Sequence, residues 1–346
     1  MRMSLILSEE LPKRLLSWYP DHCRKLPWRE DREPYHIWLS EIMLQQTRVE
    51  AVKLYYTRFL SRLPDVAQLA NAPEDEVLKL WEGLGYYSRA RNLQAAAAQI
   101  MQKHGGEFPK TYAEIRALPG IGDYTAGAIC SIAYDLPTPA VDGNVLRVLA
   151  RLCCWDAPVG LEKTKREAAQ ALSAVYPREA GTFTQSLMEL GATVCTPNGK
   201  PRCEQCPLCD LCAAKAGGVQ EDYPVRIEKK PRRIENRTVF VLRCGECEAV
   251  RKRPSRGLLA GLWEYPNVAG TLTEKEAIEQ AAAWETAPDG LLMQLERTHI
   301  FTHVQWNLRC YYISCRNMPD AFVWADHDEL HNSVALPTAF RMFLME

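Results

Sequence analysis

The first part of the chain repeats its apolar positions with the period of an α-helix. One stripe, with apolar residues three or four positions apart, consists of Val52, Tyr56, Phe59, Leu60 and Leu63. This spacing places its members on one face of a helix. Thr47 followed by Glu50 predicts a capping box at the start of that helix, and the pair Thr111 and Glu114 predicts a second box. Residues up to about 215 are therefore predicted to be all-α.

The pattern changes to extended segments in the last third of the chain. Residues 238–242 and 249–251 are rich in β-branched and apolar side chains and flank a short turn, while residues 306–313 alternate like a half-buried strand. The segment before them is charged and contains a glycine pair and a proline, which indicates a linker. The predicted organisation is an all-α domain over 1–215, a linker over 216–236 and an α+β domain over 237–346.

Composition is that of an ordinary soluble protein. The chain has 346 residues, 47% hydrophobic and 25% charged, which is enough to bury two cores. The apolar stretch Leu5 to Leu7 is too short for a signal peptide and no apolar run reaches the length of a membrane span, so a cytoplasmic monomer without a membrane partner is expected. The net charge of −1 means that the chain has no overall basic excess. A DNA-binding site would therefore have to be confined to one part of its surface. The basic side chains of the predicted linker are either solvated or lie on phosphates: Lys229, Lys230, Arg232 and Arg233.

Four cysteines close together indicate a metal centre. Cys195, Cys203, Cys206 and Cys212 follow the spacing Cys-x7-Cys-x2-Cys-x5-Cys. This compact, unequal spacing suits an iron–sulfur cube better than the separated knuckles of a zinc ribbon. A disulfide framework is disfavoured because it would need an oxidising compartment. Cys209 allows a competing set of ligands with the spacing Cys-x2-Cys-x2-Cys-x2-Cys, from Cys203 to Cys212. Spacing alone does not exclude this second set.

Two further cysteine pairs lie in the predicted α+β domain. Cys244 and Cys247 flank the turn between its first two strands. Cys310 and Cys315 are an odd number of residues apart, so on one strand they point to opposite faces and do not easily hold the same ion. Both pairs are predicted to be structural.

A glycine turn between predicted helices indicates a contact with a nucleic-acid backbone. Residues 118–125 read Leu-Pro-Gly-Ile-Gly-Asp-Tyr-Thr. Gly120 and Gly122 allow close approach, and the N–H groups at the next helix start can hold a phosphate. The segment is predicted to be a helix-hairpin-helix grip on DNA. Asp142, before another apolar helix, is predicted to be an N-cap, a position compatible with chemistry as well.

Glu41 stands where a solvated glutamate is not expected. On a helix through residues 35–46 it follows Ile37 and Trp38 and precedes Leu44 at helical spacing, which places its carboxyl group on an apolar stripe. Such a carboxyl group tends toward a raised pKa and can stay protonated, as a general acid must. Together with Asp142 it supplies the two carboxyl groups expected for cleavage of a glycosidic bond through an oxocarbenium-like transition state.

The order of these motifs resembles that of the MutY-type adenine DNA glycosylases, members of the helix-hairpin-helix superfamily that includes endonuclease III. The matching segments cover nearly the whole chain: 26–29, 40–47, 83–87, 118–125, 141–144, the four cysteines and 301–303. The resemblance implies an enzyme that removes adenine mispaired with 8-oxoguanine after flipping the adenine out of the duplex.

The resemblance assigns catalytic roles to four residues. Glu41 would protonate the adenine ring at N7, and Asp142 would stabilise or trap the oxocarbenium ion. Tyr124 and Asn144 would orient these groups. Related glycosylase/lyases have a lysine at the position of Tyr124, and because a phenol cannot form their Schiff base, a monofunctional enzyme is expected.

The resemblance also implies the DNA contacts. Gln46 would wedge into the base stack, Tyr86 would intercalate near the 8-oxoguanine, and Trp28 and Arg29 would line the adenine pocket. The C-terminal domain resembles a Nudix fold and would read the 8-oxoguanine strand through Phe301, Thr302 and His303. The expected partner is thus double-stranded DNA with adenine opposite 8-oxoguanine or guanine, and the expected cofactor is a [4Fe-4S] cluster on the four cysteines.

Three departures from the family pattern bear on these expectations. The first interval of the cysteine motif is one residue longer than usual, near Asn198 and Gly199, and Cys209 is an extra thiol. Thr302 replaces the usual serine but keeps a hydroxyl group. Residues 273–285 lack the Arg-Glu…Glu-Glu helix with which Nudix hydrolases bind metal, so nucleotide hydrolysis is not expected.

Two other functions are compatible with parts of the chain. An endonuclease III-like glycosylase/lyase would share the cluster and the hairpin but should have a lysine in place of Tyr124 and lack both Glu41 and the C-terminal domain. A catalytically silent iron–sulfur DNA-binding protein would not need both carboxyl groups in their motifs. The sequence favours the adenine glycosylase over both.

Overall fold

The computed structural model describes residues 5–227 and 231–345, so Lys229 and Lys230 of the predicted linker lie outside the described residues. The chain divides into two compact units. Unit 1 consists of Met1–Asn71 and Asn92–Glu228, and unit 2 consists of Ala72–Arg91 and Lys229–Glu346. A segment that the sequence pattern grouped with the helical domain, residues 72–91, therefore packs with the C-terminal residues.

The described residues from 5 to 217 form twelve α-helices. They are α1 (Glu10–His22), α2 (Pro34–Leu44), α3 (Val49–Arg62), α4 (Val66–Asn71), α5 (Glu74–Leu80), α6 (Ser88–His104), α7 (Tyr112–Arg116), α8 (Asp123–Tyr134), α9 (Gly143–Leu152), α10 (Glu162–Ser173), α11 (Ala180–Thr193) and α12 (Ala213–Gly217). Short 3-10 turns occupy Pro27–Arg29, Cys203–Gln205, Cys209–Leu211 and Gln220–Asp222. Helix α5 and the first residues of α6 belong to unit 2, and the other helices belong to unit 1.

Helices α1, α9 and α11 share the main apolar core of unit 1. Its buried residues include Leu15 of α1, Leu149 of α9 and Phe183 of α11. Helix α2 packs against α3 and α8 and is buried along nearly its whole length. Gly191 lets α11 approach α9 closely, because a Cβ at this position would lie 2.6 Å from the Cβ of Asn144.

The predicted helix caps differ in outcome. Thr111 caps α7 by accepting the Glu114 N–H, which confirms the N-cap half of that box, while Glu114 Oε2 accepts the Thr111 hydroxyl group. The box at Thr47 is wrong: α3 begins at Val49 after an extended Arg48, and no side chain caps it. The reason is local, because Gln46 adopts a left-handed backbone with φ of 60° and shifts the start of the helix beyond the reach of Thr47.

The part of unit 2 that the structure describes contains a mixed seven-stranded sheet covered by helices. Its elements in chain order are β1 (Arg233–Cys244), β2 (Cys247–Lys252), β3 (Trp263–Glu264), β4 (Asn267–Ala269), α13 (Glu274–Ala283), β5 (Pro288–Ile300), β6 (Val304–Cys315), β7 (Val323–Ala325), α14 (His327–Asn332) and α15 (Thr338–Arg341). The main order is β3-β2-β1-β6-β5, with β4 beside β1 and β7 beside β2. Strands β1 and β6 are parallel, and the other pairs are antiparallel.

The central strands of this sheet are buried on both faces. One face packs on α14 and α15, and the other packs on α13. The predicted alternation of residues 306–313 therefore ends at Cys310, and the residues after it are buried regardless of the face they occupy. Cys310 and Cys315 belong to the cores on opposite faces, as predicted. The predicted α+β class of the C-terminal region is confirmed.

No helix among the described residues is long and apolar enough to cross a membrane.

Candidate functional site

A cavity of about 940 Å³ opens in unit 1. Its lining combines residues from α2, the turn before α8, the start of α9 and helix α11. Nine residues predicted for the site line it: Trp28, Arg29, Glu41, Gln46, Gly120, Gly122, Tyr124, Asp142 and Asn144. Residues far apart in the sequence thus meet at one concave surface.

Glu41 is a buried carboxyl group within this cavity. Its residue is 6% exposed, because the buried helix α2 carries it among Ile37, Trp38 and their neighbours. Tyr124 donates its hydroxyl group to Oε2 of Glu41 at 2.5 Å. Burial, together with the nearby Asp142, raises the pKa of Glu41 to about 7 against the lowering effect of this hydrogen bond. The side chain is thus able to hold a proton near neutral pH.

Asp142 caps α9 and faces the same cavity. Its Oδ1 accepts the Val145 N–H at 2.7 Å, and its Oδ2 accepts the Asn144 Nδ2 at 2.7 Å. The predicted N-cap is therefore confirmed. Burial raises the pKa of Asp142, while these hydrogen bonds and the guanidinium of Arg147 oppose that rise by favouring the charged form.

Glu189 does not line the cavity but pairs with two arginines that do, and the sequence interpretation missed it. It is fully buried on α11, between Arg24 and Arg29. Arg24 Nε donates to its Oε1 at 2.6 Å, and Arg29 Nη2 donates to its Oε2 at 2.8 Å. These ion pairs hold the pKa of Glu189 below its usual value despite burial. The available signal was a carboxylate in a helix that has no other charged side chain.

Arg147 was also missed and connects two predicted sites. Its Nη2 donates to Oδ1 of Asn144 at 2.8 Å, and its Nε donates to the Cys195 carbonyl oxygen at 2.7 Å. The Asn144 amide is thereby fixed between Arg147 and Asp142. Arg147 and Arg151 are buried cations spaced four apart on the apolar helix α9, and that spacing was the signal for them.

The hairpin turn has the geometry that its glycines predicted. Gly120 has φ of 75°, and a Cβ there would lie 2.6 Å from the Asn92 side chain. Gly122 is the N-cap of α8 and offers no side chain to its first N–H groups. Gln46 is exposed on the turn between α2 and α3. The start of α8 is thus open to an anion.

The cysteine loop brings together the thiols predicted as ligands. A small cavity is lined by Cys195, Cys203, Cys206, Cys209 and Cys212, together with Arg151. Burial, together with the neighbouring Cys195, Cys212 and Cys203 thiols, raises the pKa of Cys206 to about 12. Cys209 instead directs its Sγ to Oδ1 of Asp210 at 3.2 Å. Arg151 Nη1 lies 3.3 Å from Cys195 Sγ.

The donor set fits an iron–sulfur cluster. The partly buried thiols of Cys195, Cys203, Cys206 and Cys212 are electrostatic neighbours, and Cys209 is not among the groups that act on Cys206 or Cys212. Within residues 5–227 and 231–345, no group of three or more His, Cys, Asp or Glu side chains has the geometry of a single-ion site. A cluster of several iron and sulfide ions needs more room between its thiolates than one ion does.

The predicted lesion contacts lie in unit 2. The turn between β5 and β6 carries Phe301, which packs edge-on against Trp306, followed by the exposed Thr302 and His303. The Tyr86 hydroxyl is hydrogen-bonded to Oγ1 of Thr302. Two elements that are far apart in the sequence are thereby joined. Tyr86 itself has φ of 48° and a ring on the surface.

Two family models match the chain in separate regions. Residues 39–178 match the HhH-GPD superfamily of base excision DNA repair proteins, and residues 238–346 match the NUDIX domain. The first match contains Glu41, Tyr124, Asp142 and Asn144, and the second contains the loop at 301–303.

Individual proteins are similar over most of the chain. The adenine DNA glycosylase of Homo sapiens is 34% identical over 95% of this chain and 73% of its own length. A solved thermostable thymine-DNA glycosylase is 28% identical, with a TM-score of 0.53, and covers 60% of this chain and 95% of its own. An endonuclease III trapped as a covalent DNA intermediate is 25% identical, with a TM-score of 0.52, over 62% of this chain and 100% of its own.

Proposed function

The chain belongs to the adenine DNA glycosylase family, and on that basis we propose that it excises adenine mispaired with 8-oxoguanine or guanine from duplex DNA. The observation that carries this proposal is the buried Glu41, hydrogen-bonded to Tyr124 in one cavity with Asp142. An acid that stays protonated near neutral pH and a second carboxyl group are what cleavage of a glycosidic bond requires.

In this mechanism Glu41 acts as the general acid. The flipped adenine enters the cavity of unit 1, and Glu41 gives its proton to N7, which weakens the bond from the base to the sugar. Burial is what makes this step feasible, because an exposed glutamate would be ionised at neutral pH. The Tyr124 hydroxyl holds the carboxyl group in place through its hydrogen bond.

Asp142 faces the positive charge that forms on the sugar. Its position is fixed by the start of α9 and by Asn144, which is itself held by Arg147. A carboxylate held there stabilises the oxocarbenium ion or adds to it transiently, and water then completes an abasic site. Tyr124 offers no amine, so the reaction ends at the abasic site without a Schiff base.

Adenine would be recognised by Trp28 and Arg29. Trp28 is buried at the cavity wall, and the Arg29 guanidinium in the cavity lining is held by its ion pair with the fully buried Glu189. Because these charges are paired and desolvated within the protein, their geometry is set before the base arrives. Gln46, exposed on its strained turn, would fill the space that the flipped base leaves.

DNA backbone and lesion would be held by separate parts of the chain. The hairpin with Gly120 and Gly122 would bind a phosphate through the open start of α8. Tyr86 and the loop Phe301, Thr302 and His303 would contact the 8-oxoguanine. The support for this assignment is the hydrogen bond that joins Tyr86 to Thr302 within unit 2.

Cys195, Cys203, Cys206 and Cys212 would hold a [4Fe-4S] cluster. When bound, the cluster would cross-link the loop through four thiolate bonds. Arg151 would place a buried positive charge next to Cys195. Arg147 links the Cys195 backbone to Asn144, so an ordered loop supports the position of Asp142.

The test is a single-turnover assay of Asp142→Asn on a duplex with adenine opposite 8-oxoguanine. The neutral amide keeps the cap on α9 but cannot balance the developing charge, so excision should fall by at least about 10²-fold while DNA binding persists. Asp21→Asn, which changes an exposed aspartate on α1, is the matched control and should excise adenine normally. Normal excision by Asp142→Asn would remove Asp142 from the mechanism.

A further inference from the structure

Residues 72–91 are attached to the rest of unit 2 by charged side chains. Asp75 accepts Lys252 Nζ on both carboxylate oxygens at 3.0 Å. Lys79 Nζ donates to the Val334 carbonyl oxygen at 2.9 Å. Both contacts join α5 to C-terminal elements that are far away in the sequence. We call residues 72–91 the docking segment.

Glu82 is the most buried charge of the docking segment. It is 6% exposed, and its Oε1 accepts the Leu336 N–H at 2.8 Å. Its Oε2 lies 3.0 Å from Lys79 Nζ and 3.4 Å from Arg341 Nη1. A buried carboxylate is tolerated only when it is paired and hydrogen-bonded in this way. The contact therefore requires the docking segment to be seated on the C-terminal residues.

Tyr86 follows Glu82 by four positions, and its ring is held by Arg89 of the same docking segment. The Arg89 guanidinium stacks on the Trp81 and Tyr86 rings at 5.3 and 5.6 Å. It also donates to the Leu84 and Gly85 carbonyl oxygens at 3.0 and 3.1 Å. The backbone from the Glu82 contact to the Tyr86 ring is thus braced.

Thr302 provides a second contact between the docking segment and the rest of unit 2. Its hydroxyl group meets that of Tyr86, so the docking segment touches the rest of unit 2 at Glu82 and again at the predicted lesion contact. A shift of the segment at Glu82 would move Tyr86 relative to Thr302. Neither Glu82 nor its partners line the cavity that holds Glu41.

We propose that Glu82 is a positioning residue for discrimination of the base opposite adenine. By seating the docking segment on the C-terminal residues, Glu82 holds Tyr86 beside Thr302, so the two hydroxyl groups meet the oxidised base as one preformed contact. Preformed contacts lose less entropy on binding and therefore discriminate better. This inference rests on the proposed function and extends it to a residue that does not touch DNA.

The experiment compares Glu82→Ala with the wild-type enzyme on duplexes with adenine opposite 8-oxoguanine and opposite guanine. Dissociation constants and single-turnover rate constants at saturating enzyme are measured at one fixed salt concentration. The affinity ratio for 8-oxoguanine over guanine should fall roughly two- to twelvefold, the range expected for one hydrogen bond. The saturated rate constant for guanine duplexes should stay within about twofold, because the chemistry lies in unit 1.

A double-mutant cycle separates positioning from a general structural role. If Glu82 acts through the Tyr86–Thr302 contact, then Glu82→Ala combined with Thr302→Ala should lower the ratio no further than the worse single variant. Glu82→Gln keeps an acceptor for the Leu336 N–H and should retain more discrimination than Glu82→Ala. Glu279→Gln, an exposed glutamate on α13, is the control and should leave the ratio unchanged.

The outcomes are distinguishable. Additive losses in the cycle, or an unchanged ratio in Glu82→Ala, would overturn the proposal. If Glu82→Ala does not fold, the same comparison is made with Glu82→Gln, and an unchanged ratio in that folded variant would overturn it equally. If the wild-type enzyme itself excises no adenine, the proposed function fails and this inference fails with it.

Discussion

Replacing Glu41 by glutamine should abolish chemistry and at the same time stabilise the protein. The amide has nearly the shape of the carboxyl group and can still accept the Tyr124 hydroxyl. It cannot donate an acidic proton to adenine, so excision should fall by about 10²–10⁴-fold while mismatch binding persists. The glutamine side chain also stays neutral at every pH, so the folded protein never has to bury a charge at this position. The resulting gain in stability therefore depends on pH.

The magnitude follows from the pKa of Glu41, which burial raises from 4.5 to about 7. A tenfold change in a protonation equilibrium is worth about 1.4 kcal/mol, so the full effect is at most about 3 kcal/mol. Because the folded protein holds the proton more tightly, it binds more protons than the unfolded chain between these two values. The stabilisation of the folded protein that comes from the raised pKa of Glu41 is therefore fully present below about pH 4.5. It is lost as the pH rises to about 7.

The assay is thermal unfolding of both proteins at about pH 5.5 and about pH 8. The advantage of Glu41→Gln over wild type should grow by about 2 kcal/mol between these conditions, or several degrees in melting temperature. Glu107→Gln, which changes an exposed glutamate, should show no such growth. An equal advantage at both pH values would refute the buried, protonated Glu41, and near-normal excision by Glu41→Gln would refute its role as the acid.

Three further expectations follow from the same contacts. The saturated rate of adenine excision should decline as the pH rises through about 7, because Glu41 loses the proton it must donate; a rate that rises throughout this range would contradict the assignment. Protein purified without air should be yellow-brown, and Cys209→Ser should keep that colour while Cys212→Ser loses it; the reverse result would mean that Cys209 is a ligand. Substituting Thr302 and His303 together by alanine should lower discrimination for 8-oxoguanine over guanine several-fold, measured by binding to both duplexes, and an unchanged ratio would remove the loop from recognition.

The structure also changes how the role of the C-terminal region should be tested. Deleting the residues after the predicted linker would remove the partners of Asp75, Lys79 and Glu82, which lie in the docking segment. A truncated protein would therefore lose more than the lesion loop. Point substitutions in the loop are the cleaner comparison.

Local patterns in the sequence were enough to predict those features of the site that are determined by residues nearby in the sequence. Glu41 was recognisable because an apolar stripe surrounds it at helical spacing, and Asp142 because it precedes a helix. The same kind of reasoning failed at Thr47, where a left-handed residue just before it moved the helix start. A capping pattern predicts hydrogen bonds but does not determine the backbone that enters the helix.

Contacts between residues that are far apart in the sequence could not be predicted from the sequence pattern. Glu189 is held by Arg24, 165 positions away, and Glu82 accepts the Leu336 N–H, 254 positions away. The apolar neighbours of a charged residue in the sequence can indicate that it is buried. Its partner, however, is determined by how the helices and the sheet pack. For that reason the docking segment could not be assigned to unit 2 from periodicity.

The central claim is tested most directly by the products of one reaction. Wild-type enzyme is incubated with a duplex containing adenine opposite 8-oxoguanine, and the released base and the DNA strand are analysed by mass spectrometry, with borohydride added to a parallel sample. We expect free adenine and an intact strand with an abasic site, and no protein–DNA adduct after borohydride, because Tyr124 provides no amine. Release of no adenine, or efficient trapping of the enzyme on the strand, would contradict the account.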